Sequence, residues 1–93
     1  MKGEKPLQLS DAIRIRINHY MHIKGFSSLW ELFKASGVPK STINALLSNE
    51  RTSLPRLSTL LHICEGLDTN LRDFFDDPIF LEVEDFAEDN SKN

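Results

Sequence analysis

Apolar residues recur at helical spacing through most of the chain, and the first such segment is the longest. Ile13, Ile17 and Met21 stand at positions i, i+4 and i+8, which is the period of one face of a helix. The sequence IRIRI inside this segment also alternates as a strand would, but the alternation ends after five residues, whereas the helical pattern persists for three turns. We therefore predict a helix that begins near Ser10, a good capping residue, and ends before Gly25.

Four shorter segments follow with the same apolar period, each bounded by residue types that start or end helices. They predict helices over 29–36 after a cap at Ser27 or Ser28, over about 40–47 after the Val38-Pro39 corner, from Pro55 onwards, and from a cap at Asp68 or Thr69 to Phe74-Phe75. Gly37 closes the second helix. Five short helices with short links and no strands predict a compact all-α domain.

The chain changes character after Asp77, so we divide it into a domain at 1–77 and an acidic, partly apolar tail at 78–93. Between 79 and 84, Ile79, Leu81 and Val83 alternate with Phe80 and two glutamates, which predicts a short extended segment. Two placements remain open: the segment folds back on its own domain, or it pairs with a second copy of the chain. The residues expected to make this tail or dimer contact are Ile79, Phe80, Leu81, Val83 and Phe86.

Length and composition restrict the class of protein. Ninety-three residues make one domain with a modest core. The chain has no run of about 18 apolar residues, so we expect no membrane span, and it has no apolar signal segment at its start. The single cysteine, Cys64, cannot form an internal disulfide, which favours a cytoplasmic protein.

The net charge of −3 averages over two unlike parts of the chain. Residues 1–72 contain ten Lys/Arg and six Asp/Glu, a balance of +4, whereas residues 73–93 contain one Lys and eight Asp/Glu, a balance of −7. A mildly basic domain with an acidic tail is a hint of function. The tail either solvates the terminus or contacts a protein partner.

The predicted third helix has an unusual polar face. Its apolar residues cluster on one side, and the opposite side presents only small side chains: Ser41, Asn44, Ala45 and Ser48, with Thr42 on the flank. Solvated helix faces usually contain Lys and Glu instead. A face without bulk fits a groove, and its amide and hydroxyl groups can hydrogen-bond the edges of bases. Lys40, Arg51 and Arg56 stand on either side and suit phosphates.

Residues 10–75 resemble the phage-repressor or Cro-like helix-turn-helix family, also called the xenobiotic-response-element family. The sequences LWELFKASGVPKSTINALLSN and LPRLSTLLHICEGL carry the resemblance. It implies that helix 40–47 is a recognition helix in the major groove of duplex DNA and that helix 28–35 crosses the backbone. It also implies a transcriptional regulator of the repressor type that binds a palindromic operator as a homodimer, without a cofactor.

The resemblance assigns roles position by position. Base readout falls to Lys40, Ser41, Asn44, Ala45 and Ser48, and phosphate contacts fall to Ser27, Ser28, Thr42, Arg51, Thr52 and Arg56. Three positions depart from the family pattern. Leu29 replaces a polar residue, so its phosphate contact should shift to Ser28. Phe33 replaces a small residue and should widen or rotate the helix packing. Asp68 replaces a glycine after the fourth helix, where Asp tolerates positive φ.

Two other classes of function have candidate residues in the sequence. His19, His22, His62 and Cys64 are candidate metal ligands, but they lie on different elements, and the last two point apart on their helix, so we predict no metal site. No catalytic motif appears, and we predict no enzyme. The second alternative is an antitoxin-like or anti-repressor module that keeps the fold but binds a protein, with Trp30 and Phe33 as contact aromatics. Affinity for duplex DNA that falls steeply with salt distinguishes the two.

Overall fold

The computed structural model describes residues 7–48 and 54–84. These residues form five α-helices: α1 (Leu9–Lys24), α2 (Leu29–Ser36), α3 (Lys40–Leu47), α4 (Leu57–Gly66) and α5 (Leu71–Phe75). A 3-10 helix (Pro78–Leu81) follows α5. The predicted all-α, five-helix fold is confirmed. Within the described part of the chain, none of the helices has the length and hydropathy needed to span a bilayer.

α2 and α3 have the bounds that the sequence predicts, whereas α1, α4 and α5 begin at other residues than predicted. α1 begins at Leu9, before the predicted cap Ser10, because the Asp11 carboxylate accepts the Gln8 N–H at 3.1 Å and so extends the first turn. α4 begins at Leu57 rather than Pro55, since Arg56 keeps an extended backbone with ψ 153°.

The predicted cap of the fifth helix was also wrong, for a reason that involves the end of the fourth. Asp68 adopts φ 60° and closes α4 in the left-handed conformation that the sequence predicts for it. It is therefore not free to start α5. Asn70 caps α5 instead, and its side-chain oxygen accepts the Asp73 N–H at 2.8 Å.

One core joins all five helices. The largest side chains that are fully buried come from every helix: Ile17, Leu32, Ile43, Leu60, Ile63 and Phe74. Because α2 and α3 each contribute one whole apolar face to this core, their outward faces have fixed directions. The core therefore determines which side of α3 meets a partner.

Helices α2 and α4 approach each other most closely at Ser36 and Gly66. A Cβ atom added at Gly66 would lie 2.9 Å from the backbone nitrogen and Cα of Ser36, which is closer than real contacts allow. The Ser36 hydroxyl donates to the Leu32 carbonyl at 2.7 Å and accepts the Val38 N–H at 3.1 Å. Gly37 follows with φ 78°. The turn into α3 is thus hydrogen-bonded to the end of α2 and packed on α4.

Arg16 links α1 to the C-terminal part of the domain. Its buried guanidinium donates from Nε to the Phe74 carbonyl at 2.8 Å and from Nη2 to the Asp73 carbonyl at 2.9 Å. Nη1 contacts the Asp77 carboxylate at 3.3 Å, and the Tyr20 ring centroid lies 5.0 Å from the guanidinium carbon. The last carbonyls of α5 have no intrahelical partners. Arg16 therefore stabilises the end of α5 and the chain that leaves it.

The segment after Asp77 folds back on its own domain. The predicted extended structure is wrong for 79–81, because the Asp77 side chain accepts the Ile79 N–H at 2.9 Å and starts a 3-10 turn. The Phe80 ring packs against those of Phe74 and Phe75, with centroids 6.2 and 4.9 Å apart. The backbone becomes extended only at Val83, which forms a parallel bridge with Leu7. Leu81 remains 88% exposed, and Phe86 lies outside the described residues.

The close approach at Gly66 predicts that Gly66→Ala destabilises the domain. The added methyl group meets backbone atoms, which cannot rotate away, and overpacking of this kind costs about 1–3 kcal/mol. The better helix propensity of alanine offsets about 1 kcal/mol. We expect a lower melting temperature by calorimetry. Ser58→Ala, an exposed change in the same helix, is the control and should have little effect. An equal or higher melting temperature for Gly66→Ala would contradict the close packing.

Candidate nucleic-acid interface

The outward face of α3 consists of small and polar side chains. Lys40, Ser41 and Asn44 are exposed, while Ala45 is half-buried. Ser48, the C-cap of α3, is also half-buried. The residues predicted to read bases thus share one side of the helix, and the opposite side is buried in the core. Apart from Lys40 at its start, the described residues of this face have small side chains, which suits a flat or grooved partner.

The turn before α3 fixes the direction of this helix. Gly37 takes the left-handed conformation that residues with a Cβ rarely adopt. Val38 is buried in the core, and Pro39 forms the N-cap with ψ 145°. The Pro39 carbonyl accepts the Ile43 N–H at 3.0 Å. The predicted Gly-Val-Pro corner therefore has the conformation that its residues favour.

The start of α2 is already occupied by a carboxylate. The Ser28 hydroxyl accepts the Glu31 N–H at 3.3 Å, and the Glu31 carboxylate accepts the N–H groups of Ser27 and Ser28. This is a capping box. The two amides that the sequence assigned to a phosphate are thus satisfied within the chain. The Ser-x-x-Glu spacing at 28–31 is the sequence signal that identifies the box.

Two lysines lie next to the α2 side of the face, against an exposed tryptophan. Lys40 Nζ is 5.1 Å and Lys34 Nζ 5.8 Å from the centroid of the Trp30 ring. Trp30 is 51% exposed and also contacts the half-buried Phe33, with ring centroids 5.4 Å apart. The sequence alone indicates Trp30 only as a contact for protein partners. The four-residue spacing of Trp30 and Lys34 on one helix predicts the contact between these two side chains. The contact of Lys40 with Trp30 depends on the turn between α2 and α3.

The other side of the face borders a cleft between α3 and the start of α4. The cleft is lined by Ser41, Thr42, Ala45, Leu46, Leu54, Pro55, Arg56 and Thr59. Thr42 is half-buried within it, and Arg56 is exposed at the N-cap of α4. Two further residues that the sequence assigned to phosphates, Arg51 and Thr52, lie outside the described residues. Positive charge therefore flanks the small face on both sides, from Lys34 and Lys40 on one and from Arg56 on the other.

The candidate metal ligands are not brought together by the fold, and His62 lines a cleft with Thr42 and Thr59. His62 Nδ1 is 3.6 Å from the Glu65 carboxylate. Cys64 is fully buried, and this burial raises the pKa of its thiol to about 11, with a smaller contribution from the Glu65 charge. His19 and His22 are exposed on α1. Over residues 7–48 and 54–84, no three His, Cys, Asp or Glu side chains are grouped as metal ligands would be.

Comparison with models of known protein families matches residues 16–78 to the Cro/C1-type HTH DNA-binding domain. The matched part includes the turn between α2 and α3, the whole of α4 and α5, and all of the described side chains that border the outward face of α3. No curated protein and no solved structure matches the chain.

Proposed function

Because the chain belongs to the Cro/C1-type helix-turn-helix DNA-binding family, we propose that it is a sequence-specific regulator that inserts α3 into the major groove of an operator. The coarser part of this statement, a DNA-binding regulator, follows from the family. The finer part concerns this chain: which residues read bases, which hold the backbone, and what binding does to transcription. A domain seated on a duplex excludes other proteins from the same bases, so we propose repression.

The observation that carries the proposal is the combination of a small polar face with flanking cations. An α-helix enters the major groove only if its leading side chains do not collide with the groove walls. Ser41, Asn44 and Ala45 meet this condition. Asparagine pairs with the N6 and N7 atoms of adenine, serine hydrogen-bonds several bases, and the alanine methyl contacts thymine. We assign base readout to these three residues, with Ser48 at the edge of the groove.

The backbone contacts are proposed to come from both flanks. Arg56, together with Arg51 and Thr52, which precede it in the sequence, would hold one strand, with Thr42 beside it. On the α2 side, the amides of Ser27 and Ser28 already donate to Glu31. The Ser28 hydroxyl accepts the Glu31 N–H and keeps its own proton to donate to a phosphate, whereas the Ser27 hydroxyl would have to exchange the Glu31 carboxylate, 3.4 Å away, for a phosphate. Such contacts set the register of α3 on the duplex and give the affinity its salt dependence.

A two-fold pair of chains is part of the proposal. A single helix-turn-helix unit buries only about 600–1,000 Å² of its surface on DNA, which limits its affinity. Two copies related by a two-fold axis would bind half-sites about one helical turn apart. Leu81 is the most exposed of the proposed tail contacts, and we assign it to the contact between the two copies. Ile79, Phe80 and Val83 are half-buried, and Phe86 stays a predicted contact.

The readout assignment predicts different effects for two variants. On a duplex enriched from a random pool, Asn44→Ala should lose about 1–3 kcal/mol of binding free energy, with little loss on random duplex, because it removes a base contact. Arg56→Gln should weaken both duplexes alike and lower the salt slope by about 1, because it removes a phosphate contact. Binding titrations by fluorescence anisotropy at several salt concentrations measure both.

Arg72→Gln is the charge control, since Arg72 is an exposed arginine on α5, away from both flanks of α3. It should change neither affinity by more than about twofold. If Asn44→Ala and Arg56→Gln behaved identically on the two duplexes, the assignment of the reading face would be wrong. If wild type did not bind duplex at low salt, the face would belong to a protein partner.

The tail assignment predicts opposite effects for neighbouring residues. Phe80→Ala should lower the melting temperature, because its half-buried ring packs on the domain core, at a cost below the about 3–5 kcal/mol of a fully buried Phe. Leu81→Asp should leave the melting temperature unchanged but shift sedimentation toward the monomer. A wild-type monomer at every concentration, or an unchanged dimer for Leu81→Asp, would contradict the assignment of Leu81.

A further inference from the structure

Trp30, Lys34 and Lys40 form a cluster, which we call the Trp30 cluster. Packing against the core does not explain why these three residues lie together. Trp30 is the single tryptophan of the chain and is half exposed at the start of α2. Its ring attracts two ammonium groups that belong to different helices, α2 and α3. Two like charges on one ring repel each other. The arrangement therefore favours a ligand that brings negative charge between them.

The cations of this cluster have no carboxylate partner among the described residues. The ion pairs of this part of the chain involve other basic side chains, namely Arg14, Arg16, Lys24, His62 and Arg72. Glu31 is the acidic residue that follows Trp30, but its carboxylate accepts the N–H groups of Ser27 and Ser28. It is thus directed to the helix start. Lys34 and Lys40 remain available to an external anion.

The capping box also changes which groups can bind a phosphate on this side of α3. The N–H groups of Ser27 and Ser28 would otherwise attract an anion to the start of α2. With the Glu31 carboxylate on them, that position is already negative. Attraction for the DNA backbone on the α2 side must then come mainly from the two lysines. Their distance from the ring determines where that charge is presented.

We propose that Trp30 is a positioning residue that holds Lys34 and Lys40 for the DNA backbone beside α3. This inference rests on the proposed function and deepens it, because it adds Lys34 to the phosphate contacts and assigns Lys40, which the family resemblance gave to base readout, to the phosphates as well. Lysine is a flexible side chain and loses rotamer freedom when it binds. A ring that orders the ammonium groups before binding reduces this loss, which strengthens binding without a new contact. The effect should be equal on all sequences, since phosphates are read alike.

A double-mutant cycle on the full chain tests this role. Trp30→Leu should weaken binding to a 20-base-pair duplex by about 5–30-fold at most, the size of two exposed cation–π contacts. Lys34→Gln and Lys40→Gln should each lower the salt slope by about 0.9. In a background with both lysines replaced, Trp30→Leu should change affinity by less than twofold. A role of the ring in packing alone would give the same loss in both backgrounds.

Two controls accompany the cycle. Trp30→Phe keeps an aromatic face and should retain most of the affinity. Lys24→Gln removes one positive charge near a different ring, that of Phe26, and should have little effect. The inference is overturned if Trp30→Leu binds as wild type does, or if its loss is equal in the two backgrounds, while wild type still binds duplex. Absence of salt-dependent binding by wild type would instead overturn the proposed function as well.

Discussion

The contact between Ser36 and Gly66 is the constraint on which the position of α3 depends. It brings the end of α2 against α4 at a distance that excludes a side chain at residue 66. The same serine bonds the carbonyl of Leu32 and the amide of Val38, so the turn cannot rotate without breaking that contact. α3 leaves this turn with its apolar face in the core. One small contact therefore determines where the polar face points.

The two ends of the domain have separate tasks. At one end, α2, α3 and the start of α4 present a small face between cations. At the other, the Arg16 guanidinium binds the last carbonyls of α5 and the Asp77 carboxylate. Asp77, one of the acidic residues that follow α5, is thus held by a buried cation. Along the sequence, the excess of negative charge lies at 73–93, so a chain with a net charge of −3 still has a balance of +4 over residues 1–72.

The sequence predicted well what local chemistry determines. Ser28 and Pro39 start the helices that follow them and Gly37 ends the helix before it, so α2 and α3 have the predicted bounds. It could not predict features that depend on residues distant in the chain. In the sequence, Gly66 is an ordinary helical glycine. Only the fold places Ser36 beside it. Arg16 looks solvent-exposed in an alternating sequence, yet it is buried because it donates to the Asp73 and Phe74 carbonyls of α5, nearly 60 residues away.

The sequence predicted neither the 3-10 turn of the tail nor the contact between Lys40 and Trp30, and the reasons are related. Alternation from 79 to 84 favoured an extended segment, but the Asp77 side chain starts a 3-10 turn, and the aromatic rings of α5 hold Phe80. Lys40 was predicted from its position on α3 alone. Its contact with Trp30 exists only because the turn brings two helix starts together. The pattern of residues along one helix does not predict a contact between two helices.

The most direct test of the account is a map of the surface that meets DNA. Backbone amide shifts of the labelled protein, recorded by NMR during titration with an enriched duplex, give this map residue by residue. We expect the largest shifts at Lys40, Ser41, Asn44 and Ala45, with a second group at the starts of α2 and α4. Shifts concentrated on α5 and the 3-10 helix, with α3 unchanged, would contradict the claim that α3 reads the duplex.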